Sequence, residues 1–424
     1  MPDRSVPPPI REINELRFPP PERISLDNGI PVFVTNLGTQ EIVKLEVAYH
    51  AGRPFEHQQL VARSTLSQLK EGTNSFSSAE VAEKLDYYGG SLSQPVNLDL
   101  SSSVLFCLRK HFDALLPIFR EVVLEPTFPE AELLAFRERQ QQRLQIDLSQ
   151  NEVLAYRLIT ELIYGDRHPY GYNSSKEIYE QLERNDLRRH FDEWYLTNNC
   201  QIFLSGRIDD RILRDLNHSF GQHRKERNWS VPKLSTTTEG PRQLYVERPE
   251  SVQTAIRIGR RTFTRHHPDY VGMSVLNTIL GGYFSSRLMN NIREEKGYTY
   301  GIFSTLDAMH YDGCFYVGTE VGNEYVQATI TEIYREMEVL CEELVGPDEL
   351  SMVKNYMIGN LLPLVDGPFN ISELIKSQIM GGLPDTYLSD FVKGIRSISP
   401  TTLRDLARTY LRREDMWQVV VGIM

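Results

Sequence analysis

Residues 276–304 read LNTILGGYFSSRLMNNIREEKGYTYGIFS. The apolar run that begins near Tyr270 ends at Gly281-Gly282, and a second helix follows Ser285-Ser286 and stops at Gly297. From Tyr298, YTYGIFSTLD has the aromatic and β-branched content of a strand. The same order occurs in the other half of the chain. There Ser77-Ser78 opens AEVAEKLDYY with Glu80 completing a capping box, Gly89-Gly90 ends that helix, and Ser91-Leu92-Ser93 resumes strand-like alternation. Two copies of one helix-glycine-strand plan predict two homologous domains.

Working outward, ISLDNGIPVFVTN from Ile24 predicts a hairpin about Asn28-Gly29, and IVKLEVAYHAG alternates like a half-buried strand. Helices are predicted over 60–70, 112–123, 129–148 and 152–164, and NNCQIFLSG supplies an apolar strand before a helix over 211–220. The stretch HRKERNWSVPKLSTTTEGPRQ is polar, carries prolines and keeps no period, so it reads as a linker. LYVERP and TAIRIGRR then start a second cycle of strands. The expected division is an extended arm over 1–22, a first domain over 23–221, a linker over 222–241 and a second domain over 242–424. The expected fold class is α/β, of the α+β type: two homologous domains, each a mainly antiparallel sheet with helices packed on one face.

A chain of 424 residues exceeds one ordinary core and suits two units of about 200. It is 40% hydrophobic and 24% charged, and no apolar run approaches the roughly 18 residues of a membrane span, so a globular chain without a membrane helix is expected. The net charge of -11 and the lack of a long Lys/Arg run argue against nucleic acid. The first segment, MPDRSVPPPIREINELRFPPP, has no apolar signal core, so a cytoplasmic location is expected, or a periplasmic one for a chain that has lost a signal. Cys107, Cys200, Cys314 and Cys341 form no C-x-x-C pair and predict buried free thiols.

The 276–304 segment resembles the second-domain signature of the pitrilysin/insulinase family of inverted zinc metallopeptidases, which includes the mitochondrial processing peptidases. The glycine pair, Ser-Arg-Leu, Arg-Glu and Gly-x-x-Tyr occur together in that family's order. Weaker matches are LDNGIPVFV, LKEGT at 69–73, YGDRHPYGY at 164–172 and HHPDY at 266–270. In the family the first domain carries H-x-x-E-H on a helix, with a further glutamate ligand roughly 75 residues on. Counting back from Lys70-Glu71-Gly72-Thr73, the five motif positions here are Arg63, Ser64, Thr65, Leu66 and Ser67. Gln145, within Arg143-Leu144-Gln145-Ile146, stands where the last ligand is expected. None of these supplies an imidazole, thiolate or carboxylate, and no two of the ten histidines are spaced i, i+4. No metal is expected in this chain.

The resemblance implies that Arg293 and Tyr300 reach into a zinc site on another subunit. There the tyrosine donates to the tetrahedral oxyanion and the arginine holds the substrate or its oxygen. The spacing of seven residues from the arginine selects Tyr300 over Tyr298. Arg293 is expected in the last helical turn before Gly297, and both tyrosines on the strand, pointing the same way. Gly281, Gly282, Tyr283, Phe284, Arg287 and Tyr298 are the implied substrate contacts. The residues alone leave other accounts open: Arg293 pairing with Glu294 or Glu295, tyrosines packing the sheet, a tight turn at Gly281-Gly282, and a structural Arg287.

The function implied is that of a zinc-lacking partner subunit of a heteromeric metallopeptidase, inactive alone, acting on peptides. Zinc is expected in an H-x-x-E-H partner, in a heterodimer or larger assembly, with a homodimer as the second arrangement. Two rivals stand beside it. One is a structural or peptide-binding homologue without a role in proteolysis, like the related core subunits of the mitochondrial cytochrome reductase complex, and the other is a self-sufficient metallopeptidase with other ligands.

Overall fold

The computed structural model describes residues 16–234 and 242–424, so part of the predicted arm and residues 235–241 of the predicted linker lie outside the described residues. The first sheet contains β1 (Glu22–Ser25), β2 (Pro31–Asn36), β3 (Ile42–Tyr49), β4 (Ser91–Ser93), β5 (Ser101–Leu108) and β6 (Cys200–Gly206), in the order β1-β2-β6-β3-β5-β4. Of these neighbours β2 and β6 run parallel and the other pairs antiparallel. The predicted hairpin forms because Gly29 adopts φ 88° and its N–H reaches the Leu26 carbonyl at 2.8 Å. Eight helices accompany this sheet among the described residues: α1 (Val61–Gln68), α2 (Ser78–Tyr88), α3 (Phe112–Leu124), α4 (Glu130–Ser149), α5 (Asn151–Tyr164), α6 (Lys176–Gln181), α7 (Arg184–Trp194) and α8 (Asp210–Phe220).

The second sheet contains β7 (Gln243–Glu247), β8 (Gln253–Arg261), β9 (Ile302–Ala308), β10 (Gly313–Gly322) and β11 (Trp417–Gly422), in the order β7-β11-β8-β10-β9. Here β7 and β11 run parallel and the other pairs antiparallel. This is the first sheet without β1, so the repeated plan read from the sequence is a repeated topology. Its helices are α9 (Tyr270–Gly281), α10 (Val326–Glu342), α11 (Pro347–Gly359), α12 (Gly367–Met380), α13 (Tyr387–Ser397) and α14 (Pro400–Tyr410). Between α9 and β9, residues Met289–Glu295 form a π-helix.

Each sheet buries one face against helices of its own half. Val43, Leu45 and Val47 of β3 join α1, α3, α7 and α8 in one core, and Ile256 and Ile258 of β8 join α9, α10 and α14 in the other. The opposite faces are covered by an exchange between the halves. Helix α5 lays Ala155, Ile159 and Ile163 against Ala255, Tyr316, Val419 and Val421 of the second sheet. Helix α12 lays Ile371, Ile375 and Met380 against Phe33, Ala48 and Phe203 of the first.

This exchange changes the meaning of the alternating stretch IVKLEVAY. Its polar side does not face water. Lys44 and Glu46 are 3% and 0% exposed beneath α12, where Lys44 meets Glu46 at 3.0 Å and also bonds Glu373, and Lys376 meets Glu46 at 2.8 Å and Glu373 at 2.6 Å. In the second sheet Arg257, 2% exposed, meets Glu152 of α5 at 3.0 Å. Buried charges are tolerated only when paired, so these bonds specify which helix covers which sheet.

Two further features tie the halves. Residues 16–21 of the arm form no helix or strand, and they place Leu16 in the second core and Phe18 against both the second core and the α12 cluster. The turn between β9 and β10 docks on the first half: His310 N–H donates to Asp99 at 3.0 Å, Tyr170 O–H donates to the same carboxylate, and His168 lies 3.3 Å from Asp312.

Lys376→Ala leaves Glu46 buried with one cation instead of two and is expected to lower unfolding stability by on the order of 3 kcal/mol, read from the urea midpoint. A chain cut within 235–241 is expected to elute from gel filtration as one particle, because each half carries a helix that the other sheet needs. Either half expressed alone is expected to aggregate.

Candidate functional site

Helix α1 carries the five motif positions. It is buried along Val61, Ala62, Ser64, Thr65, Leu66 and Gln68, which leaves Arg63 and Ser67, four apart, as the partly open pair on one face. Those are the two positions where the family motif places its imidazoles. The Arg63 guanidinium donates to Gln140 Oε1 of α4 at 3.4 Å, so a cation and an amide stand where a metal and a carboxylate are required. A fixed positive charge opposes a divalent cation, and none of Arg63, Ser67, Leu66 and Gln140 is a zinc ligand type. These residues do not fit zinc.

The α4 position expected from counting needs correction. Gln145 is exposed and lines a groove of about 620 Å³ with Leu148, Arg157 and Lys176, while Leu144 is buried in the first core. The face of α4 that turns inward runs through Leu133, Phe136, Gln140 and Leu144, so helical periodicity puts Gln140, not Gln145, opposite α1. His57 is the imidazole nearest to the start of α1 in sequence, with Nε2 3.9 Å from Asp186 and its ring 6.5 Å from that of His190. Among the described residues, no group of three His, Cys, Asp or Glu side chains is placed to hold a metal ion.

The start of α1 is held by residues that the sequence alone marks for no chemistry. Leu60, the N-cap, has φ 69° and no capping side chain. Glu56 caps the helix in its place, since its Oε1 accepts from Ala62 N–H at 3.0 Å and its Oε2 accepts from Tyr172 O–H at 2.7 Å, while Leu60 N–H donates to the Tyr172 hydroxyl at 3.1 Å. Arg53 lies over the Tyr172 ring at 4.3 Å. Burial pushes the Glu56 carboxyl up to about 7, against the lowering effects of the Tyr172 bond, the Arg53 charge and the backbone bonds. The available sequence signal is the HPYGY stretch, where Tyr170 and Tyr172 read as packing and turn residues. Both pack as read, Tyr172 in the first core and Tyr170 in the cluster around α5, and each also bonds a buried or half-buried acid, Glu56 and Asp99 respectively.

The second candidate group lies between α9 and β9. Arg293 occupies the π-helix, and Gly297, at φ 67°, ends it as expected, with its N–H on the Arg293 carbonyl at 3.1 Å and Tyr298 N–H on the Ile292 carbonyl at 3.0 Å. The tyrosines diverge. Tyr298 packs on the second core with its ring stacked 4.7 Å from Tyr325, whereas Tyr300 is 91% exposed. Tyr300 also precedes the strand rather than lying on it, because β9 starts at Ile302.

Tyr300 stands in a pinned bend. The Thr299 hydroxyl donates to the Gly301 carbonyl at 3.0 Å and the Glu320 carbonyl at 2.7 Å, and Thr319 Oγ1 donates to the Gly301 carbonyl at 2.9 Å. The phenol lines a cleft of about 960 Å³ between the halves, with Asn151, Glu152, Arg248, Val252 and Glu320. Arg293 turns elsewhere, to Glu294 at 2.6 Å and to the face of Phe284 at 4.8 Å. Arg287 is bidentate to Glu349 of α11 at 2.9 and 2.8 Å, a structural anchor.

Two repeated sheets, with a motif helix that carries no zinc-ligand type in the first half and a projecting tyrosine in the second, define a two-domain, peptidase-like fold with no metal-ligand group among the described residues. Known proteins of similar sequence and fold carry both zinc-protease and inactive-domain names. Residues 181–357 match the family described as peptidase M16 inactive domain. An uncharacterized zinc protease, YmxG, of Bacillus subtilis is 22% identical over 393 residues, covering 91% of this chain and 95% of the relative. A protein of Helicobacter pylori named non-peptidase homolog YmxG is 21% identical over 393 residues, covering 89% of this chain and 88% of its own. The crystal structure of a peptidase M16 inactive domain from Pseudomonas fluorescens superposes with a TM-score of 0.84 at 22% identity, over 95% of this chain and 98% of that one. The chain is thus similar to zinc-protease homologues over most of its length, and over residues 181–357 to the domain described as peptidase M16 inactive domain. Among the described residues no helix is long and apolar enough to cross a membrane.

Glu56 yields a pH prediction. Its folded value of about 7 lies above the ordinary 4.5, so its contribution is fully present below pH 4.5 and is lost as pH rises through 7. Stability is expected to fall by roughly 2–3 kcal/mol from this group between pH 5 and pH 8. Glu56→Gln is expected to flatten that slope in urea titrations run across the range.

Proposed function

We propose that this chain is the zinc-lacking partner subunit of a heteromeric metallopeptidase, and that it supplies Arg293 and Tyr300 to the active site of an H-x-x-E-H subunit. The exposure of Tyr300 carries the reading. A phenol 91% exposed, on a bend pinned by Thr299 and Thr319, is a donor held out toward solvent on a fixed backbone. Such a donor suits an oxyanion that forms on another chain, since its O–H is unobstructed and its backbone is already fixed. Arg293 keeps a permanent charge for substrate binding. Neither side chain supplies a base or an attacking water at neutral pH, and α1 has no residue for either role. Zinc and the general base therefore belong to the partner, and the substrate is a peptide held between the two.

A second reading, a homologue with no part in proteolysis, draws support from the Helicobacter pylori relative named a non-peptidase homolog.

One experiment separates the two. This chain is purified with an H-x-x-E-H homologue and peptide cleavage is compared for wild type, Arg293→Ala and Tyr300→Phe. Losses of about 100-fold in kcat are expected for Tyr300→Phe. Cleavage by the partner that neither needs this chain nor responds to either substitution overturns the proposal and leaves the non-proteolytic reading.

A further inference from the structure

The resemblance implies that the loop before Arg293 touches substrate. Its packing gives most of it another role. A Cβ on Gly281 would lie 2.5 Å from the Ser304 nitrogen, and one on Gly282 would lie 2.7 Å from the Thr278 Cα, so the turn is pressed between β9 and α9. Tyr283 sets its ring 5.0 Å from Tyr356 of α11, Ser286 is 1% exposed, and Arg287 is locked to Glu349. From this anchored run Phe284 projects, 65% exposed, and its ring face lies under the Arg293 guanidinium.

We propose that Phe284 is a positioning residue for Arg293. The guanidinium also bonds the Glu294 carboxylate, a half-exposed neighbour on the same short helix. A surface ion pair of that kind holds a long side chain weakly, because water screens it and the chain retains its rotamers. A ring face adds an attraction that does not consume N–H groups: the guanidinium sits over the ring while its N–H groups remain free to donate. Glu294 then acts as a stand-in acceptor, displaced by a substrate oxygen while the stack persists. The anchored turn matters because a ring on a loose loop would move with the arginine instead of holding it.

The catalytic consequence rests on the partner-subunit reading, but the positioning is measurable on this chain alone. In the nitrogen–proton spectrum of the intact protein, the Arg293 Nε–H signal, assigned by its loss in Arg293→Lys, is expected upfield through the ring current of Phe284. Phe284→Leu is expected to return it to the ordinary arginine position at an unchanged melting temperature, and Phe284→Tyr to keep it upfield. With the H-x-x-E-H homologue present, Phe284→Leu is expected to lower kcat/KM about five-fold, Phe284→Tyr to restore it, and Phe284→Leu to add nothing in an Arg293→Ala background.

An Arg293 signal unmoved by Phe284→Leu overturns the positioning, whatever the activity. A ring-current shift with no effect of Arg293→Ala on cleavage leaves the positioning intact and overturns the partner-subunit reading instead.

Discussion

The buried ion pairs beneath α12 and α5 are the constraint on which the arrangement of the chain depends. Lys44 and Glu46 lie on a strand face that an unpaired first half would leave open to water, and burial of either without Lys376 and Glu373 would cost several kcal/mol. In the other half the buried Arg257 depends likewise on Glu152 of α5, which is itself half-exposed. Glu373 shows how strong the coupling is: burial raises its carboxyl, yet the bonds and charges of Lys376 and Lys44 bring it down to about 2. Each half thus completes the other, and the cleft beside Tyr300 lies at that junction, where the start of α5 meets the second sheet.

The backbone of the candidate site is held by the second sheet even where its side chain is exposed. Tyr300 is bare, but its neighbours Thr299 and Gly301 are bonded to β10, which also pairs with β8 at the centre of the second sheet. The degenerate helix α1 is just as firmly held, through Glu56 and Tyr172, although it carries no zinc ligand. Capping and packing of α1 support the core of the first half, so its structure persists independently of metal chemistry. The scaffold of α1 is thus kept although none of its residues is a zinc-ligand type.

Much of this is legible in order and spacing. The hairpin at Asn28-Gly29, the capping box at Ser77, the helices α3, α4, α5 and α8 and the stop at Gly297 follow from local chemistry, and each forms. Gln140 escapes a count along the chain, because the inward face of α4 is set by what it packs against. Strand periodicity puts Tyr298 and Tyr300 on one side, but it does not apply there, since the strand begins only at Ile302.

The sequence by itself determined the two-copy plan, the α/β class and the loss of every zinc-ligand type from α1, since these depend on residue identity and local period. Only the tertiary structure decided that the polar side of β3 is buried, that Glu56 caps α1, and that Arg293 rests on Phe284. Each of these joins residues distant in sequence or separated by a turn, and a charge such as Lys44 reads alike whether water or a paired carboxylate surrounds it. Burial is a property of the assembled layers, and it converts the same residues from solvated surface into the bonds that fix how the halves meet.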